Sequence, residues 1–226
     1  MELINRDLDI LRMVDEFIQL SSTHITELFF TDRSHSVPDR VLGRLVRTHY
    51  LSRVGRRASS DKGGAGAHVY QLGSFGRVLM GVEGRPSPNV NTHALMIADT
   101  YLELRRAEKA GVLRVKAWEV ERRVPPIRAD LFAAVEYPGQ GRTSSYFLEI
   151  DLATERPVRI VEKLAGYWTA AERWNGEYFP YVVFVVNHLG RKAELRRIVR
   201  QLPDEDQREM VRVFMLGELI PALMEL

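Results

Sequence analysis

Four residues, Ser36-Val-Pro-Asp39, constrain the fold of this chain more than any other short segment. Ser36 is suited to cap a helix, Pro38 sits in a first turn where no amide partner is lost, and Asp39 can return a reciprocal cap. The helix that follows buries Val41, Leu42, Leu45 and Val46, so Arg40, Arg44 and Arg47, spaced i, i+4, i+7, leave by the opposite face. Two amphipathic segments come before it, the second of them short. The first carries Leu8, Leu11, Val14, Phe17 and Ile18; the second carries Ile25, Leu28 and Phe29, with Ser22 as its expected cap. Two strands are expected after it, at 51–54 and 68–72, joined by a stretch rich in Gly, Ser and basic residues. Three helices and a basic hairpin in this order predict an N-terminal winged helix-turn-helix.

The net charge of +2 says little, but its distribution says more: from Arg33 to Arg77 stand nine basic residues against two acidic ones, Asp39 and Asp61. Such an excess over so short a stretch points to a polyanion. Arg40, Arg44 and Arg47 fit a major groove, where arginine grips a guanine edge or a phosphate oxygen with equal ease. Arg53, Arg56, Arg57 and Lys62 belong to the hairpin and suit phosphates or the minor groove. Gly43, a poor helix former, would let DNA or a neighbouring helix come close to the backbone. Double-stranded DNA is the expected partner and a homodimer the expected state, since two-fold operators are read by dimers. A solvated basic face and a protein-binding winged helix are the blander alternatives.

With 45% hydrophobic and 27% charged residues the chain has the composition of an ordinary globular protein. It has no cysteine, which removes disulfides, thiolate chemistry and zinc fingers. No apolar run approaches the roughly 18 residues of a membrane span, and the first residues lack signal-peptide character, so a cytoplasmic protein without membrane contact is expected. Gly84-Arg-Pro-Ser-Pro-Asn-Val-Asn91 reads as the linker, giving domains at 1–83 and 92–226 with 84–91 between them. The second domain is expected to run helix 92–110, strands 113–121, 130–137 and 145–151, helix 157–174, strand 181–186 and helix 191–201, with a last strand and short helix beyond Met210. The fold class is therefore α+β. The apolar tail with Phe214, Met215, Leu219 and Leu223 is a candidate subunit contact.

The segments Gln19-Leu-Ser-Ser-Thr-His-Ile-Thr-Glu-Leu-Phe-Phe30, Arg44-Leu-Val-Arg-Thr-His-Tyr-Leu-Ser-Arg53 and Val69-Tyr-Gln-Leu-Gly-Ser-Phe-Gly-Arg77 resemble the winged-helix half of the bacterial replication-relaxation family. Arg128-Ala-Asp130, Phe147-Leu-Glu-Ile-Asp-Leu-Ala-Thr-Glu155 and Lys163-Leu-Ala-Gly-Tyr167 extend the resemblance into the second half. Where that family usually has Pro before the aspartate, this chain has Ala129. The resemblance implies a protein of plasmids and other mobile elements, controlling replication or transcription.

Asp130 opens one expected strand, and Glu149 and Asp151 share a face of its hairpin partner. Three carboxylates that converge could hold Mg²⁺ or Mn²⁺ and activate water beside a phosphate; otherwise no cofactor is expected. The α-β-β-β-α-β order with these acids is similar to the PD-(D/E)xK nuclease core. That motif places lysine where this chain has Asp151, so catalysis would need Lys163 to reach back from the following helix. Otherwise the acids pair with Arg128, Arg156 or Lys163 in a structural network. A DNA-binding protein with an inactive nuclease-like domain is thus the first reading, and a metal-dependent nuclease or nickase the second. No His-x-x-x-His, Gly-x-x-x-x-Gly-Lys or Gly-x-Ser-x-Gly pattern offers another chemistry.

Overall fold

The computed structural model describes residues 2–31, 33–34, 36–57 and 66–226. The protein is a mixed α+β chain that divides into two compact units, Met1–Asp99 and Thr100–Leu226.

In the first unit, the helical period of α1 (Asn5–Glu16) buries Ile10, Leu11 and Val14. A short strand, β1 (Leu20–Ser21), leads into α2 (Ser22–Phe29). The cap of α2 is Ser21, one residue before the expected Ser22. Pairing in the sheet already holds Ser21 extended, as a cap requires, and its Oγ accepts from His24 N at 3.2 Å. Next comes α3 (Ser36–Arg47), with Val41, Leu42 and Leu45 buried. The strands β2 (Leu51–Arg56) and β3 (His68–Leu72) pair antiparallel, and the sheet order is β1-β3-β2. Behind the hairpin, α4 (Ser74–Met80) lies so close that a Cβ at Gly76 would stand 2.2 Å from the carbonyl oxygen of Tyr50.

The stretch expected as a linker lies within the first unit. Gln71 donates to Ser87 O at 3.0 Å, while buried Gln19 donates to Asn89 O at 3.0 Å and accepts from Asn91 N at 2.8 Å. Its Gly and Pro content produces irregular backbone, and side-chain amides satisfy that backbone's polar groups. The helix α5 (Thr92–Lys109) follows, and the division between the units falls inside it.

In the second unit, β4 (Arg114–Val124), β5 (Ile127–Tyr137) and β6 (Arg142–Asp151) form an antiparallel meander. The helix α6 (Pro157–Glu172) then crosses over to β7 (Tyr181–Val186), which runs parallel to β6. After α7 (Leu189–Arg200) and α8 (Glu205–Met210) comes β8 (Val211–Met215), parallel to β7, giving the order β4-β5-β6-β7-β8. As the middle strand, β6 buries every residue from Tyr146 to Asp151. Phe147, Ile160, Leu164, Tyr167, Phe184 and Leu195 belong to one apolar core. The chain closes with α9 (Leu219–Met224), whose Leu219 and Leu223 are 0% exposed. Those two residues are core of their own unit, which removes them from the expected subunit contact. Among the described residues no helix is long and apolar enough to cross a membrane.

Candidate nucleic-acid interface and acidic site

The outward stripe of α3 lines an open concavity of about 400 Å³ with Val37, Arg40, Val41, Arg44 and Arg47. Its three arginines are not equivalent. Arg40 and Arg47 are exposed, and Arg40 Nε donates to the carbonyl of Ser36 in its own helix. Arg44 is 29% exposed, and its Nη2 donates to both carboxylate oxygens of Asp7, at 2.7 and 2.8 Å, where Asp7 is 0% exposed. Arg44 was expected to read DNA with the other two; its guanidinium is committed to holding α3 against α1, because a buried carboxylate without a partner is costly. Among the described residues a Cβ at Gly43 would meet only Arg47 Nη1, at 3.5 Å, so no packing among them requires glycine there.

The hairpin cations divide in the same way. Arg53 is exposed on β2, and exposed Arg56 donates to Gly66 O at 2.8 Å and lies 3.1 Å from His68 Nε2. Partial burial first, then the positive charges of Arg56 and Arg53, push His68 below its ordinary value, with Asp39 of α3 opposing them. Arg57, expected at a phosphate, is instead bound in bidentate fashion by Asp99. Lys62 lies outside the described residues.

In the second unit Leu131 of β5 stands opposite Leu148 of β6, and Asp130 and Glu149 are the residues next to that pair. Asp130 Oδ2 accepts from Ile150 N at 2.7 Å. Glu149, 1% exposed, accepts from Lys163 Nζ at 2.9 Å through Oε2 and from the Tyr167 hydroxyl through Oε1. Burial, and after it the charge of Asp130, pushes Glu149 up to about 7, against the opposing pull of Lys163 and Tyr167. Burial alone would lower Lys163, but the charge and hydrogen bond of Glu149 outweigh it and raise Lys163, which stays an ammonium.

Asp151 goes elsewhere. Arg191 of α7 grips it through Nε at 2.8 Å and Nη2 at 2.7 Å, both side chains almost fully buried, and Ala153 N donates to it at 2.7 Å. Asp130, Glu149 and Asp151 therefore do not form the common ligand set expected of them, and among the described residues no three His, Asp or Glu side chains form a metal-holding group. The residues present do not fit the Mg²⁺ or Mn²⁺ of the nuclease expectation: an ammonium occupies Glu149, a guanidinium Asp151 and a backbone amide Asp130. Lys163, by contrast, does reach back from α6 as catalysis would need. It also lines an open groove of about 490 Å³ with Ile127, Arg128, Glu155, Arg159 and Glu162.

The family described as replication-relaxation matches the chain over residues 11–182, from α1 into β7. The chain belongs to the replication-relaxation family. Membership links it to replication of plasmids or mobile elements. No curated protein matches it. The matched span of this replication-relaxation protein contains α3, the hairpin, Asp130, Glu149, Asp151 and Lys163, while Arg191, the partner that takes Asp151, lies beyond it.

Sequence reasoning missed four of the residues that organise these sites. Asp7 occupies an inward position of α1, three and four residues before buried Ile10 and Leu11, and an acid there signals a buried cationic partner. Asp99 gave the same signal, following buried Ala94 to Ala98 on a nearly all-apolar helix turn. Tyr167 and Arg191 gave no local sign of their roles, since each is set by a strand distant in sequence.

Proposed function

We propose that this replication-relaxation protein is a DNA-binding protein of plasmids or mobile elements that controls replication or transcription, and that it binds without cutting. Its first unit is a winged helix-turn-helix with α2 and α3 as the two helices and β2–β3 as the wing. The observation that carries this reading is the sorting of the arginines. Arg44 and Arg57 are held by buried or half-buried acids, whereas Arg40, Arg47, Arg53 and Arg56 extend outward from the recognition helix and the adjoining strand. Exposed arginines in that arrangement supply phosphate contacts in number and base contacts by geometry. The second unit has the strand and helix order of a PD-(D/E)xK-like core whose acids are neutralised from within. A homodimer suits a two-fold DNA site.

A nuclease reading has one specific observation in its favour, the contact of Lys163 with Glu149. Supercoiled plasmid incubated with the full chain and Mg²⁺ or Mn²⁺, beside an EDTA control, separates the two. Retarded but intact plasmid is the expected result. Metal-dependent nicking that disappears in Asp130→Asn would promote the nuclease, and neither retardation nor nicking would sink both readings.

A further inference from the structure

Asp99 bonds both to α2 and to the residue that follows β2. Arg57, directly after β2, donates through Nη1 and Nη2 to Asp99 Oδ1 and Oδ2 at 2.8 and 2.5 Å. His24 of α2, 2% exposed, stands with Nε2 at 2.8 Å from Asp99 Oδ1. Its Nδ1 accepts from Ser21 N, which leaves the ring proton on Nε2 and makes His24 the donor to Asp99. One carboxylate thus takes a donor from the helix that precedes α3 and two from the end of the hairpin arm. Burial by itself would raise Asp99, but the bonds from His24 and Arg57 bring it down to about 2, so the acceptor remains an anion.

We propose that Asp99 is a positioning residue for DNA binding, a clasp that holds the β2 arm in one place relative to α2 so that Arg53 and Arg56 meet the duplex in concert with Arg40 and Arg47. This rests on the reading of α3 and β2 as the DNA interface. In the order β1-β3-β2 the strand β2 is an edge, paired along one side only, so its far end gains from a further tie. A bidentate arginine–carboxylate pair adds directional restraint, and a surface ordered before binding spends less of its contact energy on ordering. Arg57 accordingly serves the interface through Asp99 rather than by touching a phosphate.

The test is a double-mutant cycle on the full chain, using a fluorescein-labelled mixed-sequence DNA duplex and reading anisotropy below the melting temperature of every variant. Asp99→Ala and Arg57→Ala are each expected to weaken binding by about tenfold, and the double variant by no more than either alone, because both open the same clasp. Asp99→Asn keeps the volume and the His24 bond while losing the charge pair, and is expected to weaken binding in the same direction even if Asp99→Ala folds poorly. Additive losses would give Arg57 a phosphate contact of its own and overturn the proposal. So would undiminished binding by Asp99→Ala, or tighter binding by Asp99→Asn. Wild-type protein that does not bind the duplex would instead overturn the interface reading itself, and the clasp with it.

Discussion

At the scale of single residues, the partners of the arginines decide what each substitution does. Arg44→Ala leaves the fully buried carboxylate of Asp7 with the Ile4 amide as a donor but without its cation, and because Arg44 is itself partly exposed the loss belongs at the low end of such cases, about 3 kcal/mol. Arg40→Ala and Arg47→Ala touch exposed side chains and should move stability by less than about 0.5 kcal/mol. Urea unfolding of the three variants checks this contrast, and equal stability of Arg44→Ala and wild type would refute the pairing. Glu149 makes a second prediction, on pH. Its value is raised in the folded chain, so its proton binds more tightly there than in the unfolded chain. The stability it contributes is complete below pH 4.5 and is lost as pH rises through about 7. Urea midpoints of wild type minus those of Glu149→Gln should therefore fall from pH 4.5 to 7; a difference that rises over that range would mean the carboxyl is held down instead.

At the scale of elements, two glycines on neighbouring helices should respond in opposite ways. In α4, Gly76→Ala drives a methyl group into the carbonyl of Tyr50, and backbone cannot yield as a side-chain tip can, so a loss of about 3 kcal/mol is expected. In α3, Gly43→Ala meets no obstacle and should stabilise the helix by about 0.5–1 kcal/mol. If DNA approaches the α3 backbone there, the same variant binds DNA more weakly while melting higher, a split that thermal melts and gel shifts would read together. These elements were largely legible in advance. The ranges expected for α3, α5, α6 and β5 lie within a few residues of those observed, although Ser36, expected as the cap of α3, is its first helical residue. The two-residue strand β1 and the helix α8 were not, since the first depends on β3 for its pairing and the second, Glu-Asp-Gln-Arg-Glu-Met, has no apolar period. For the sites, sequence named the arginines and acids but not the partners the fold gives them. Spacing placed Arg44 on the same stripe as Arg40 and Arg47, and could not say that Asp7 lies beneath one of them.

At the scale of the whole molecule, the family match spans residues from both compact units, and the proposed function gives DNA contact to the first. The central claim is that exposed cations of α3 and β2 carry the DNA. Its most direct test is the slope of log affinity against log salt for the full chain and for the Arg40→Ala, Arg47→Ala, Arg56→Ala triple variant on one DNA duplex. Each lost phosphate contact should flatten the slope by about 0.9, so the account predicts a markedly shallower slope, by up to about 2.7, together with weaker binding at low salt. A triple variant that keeps the wild-type slope and affinity would contradict it.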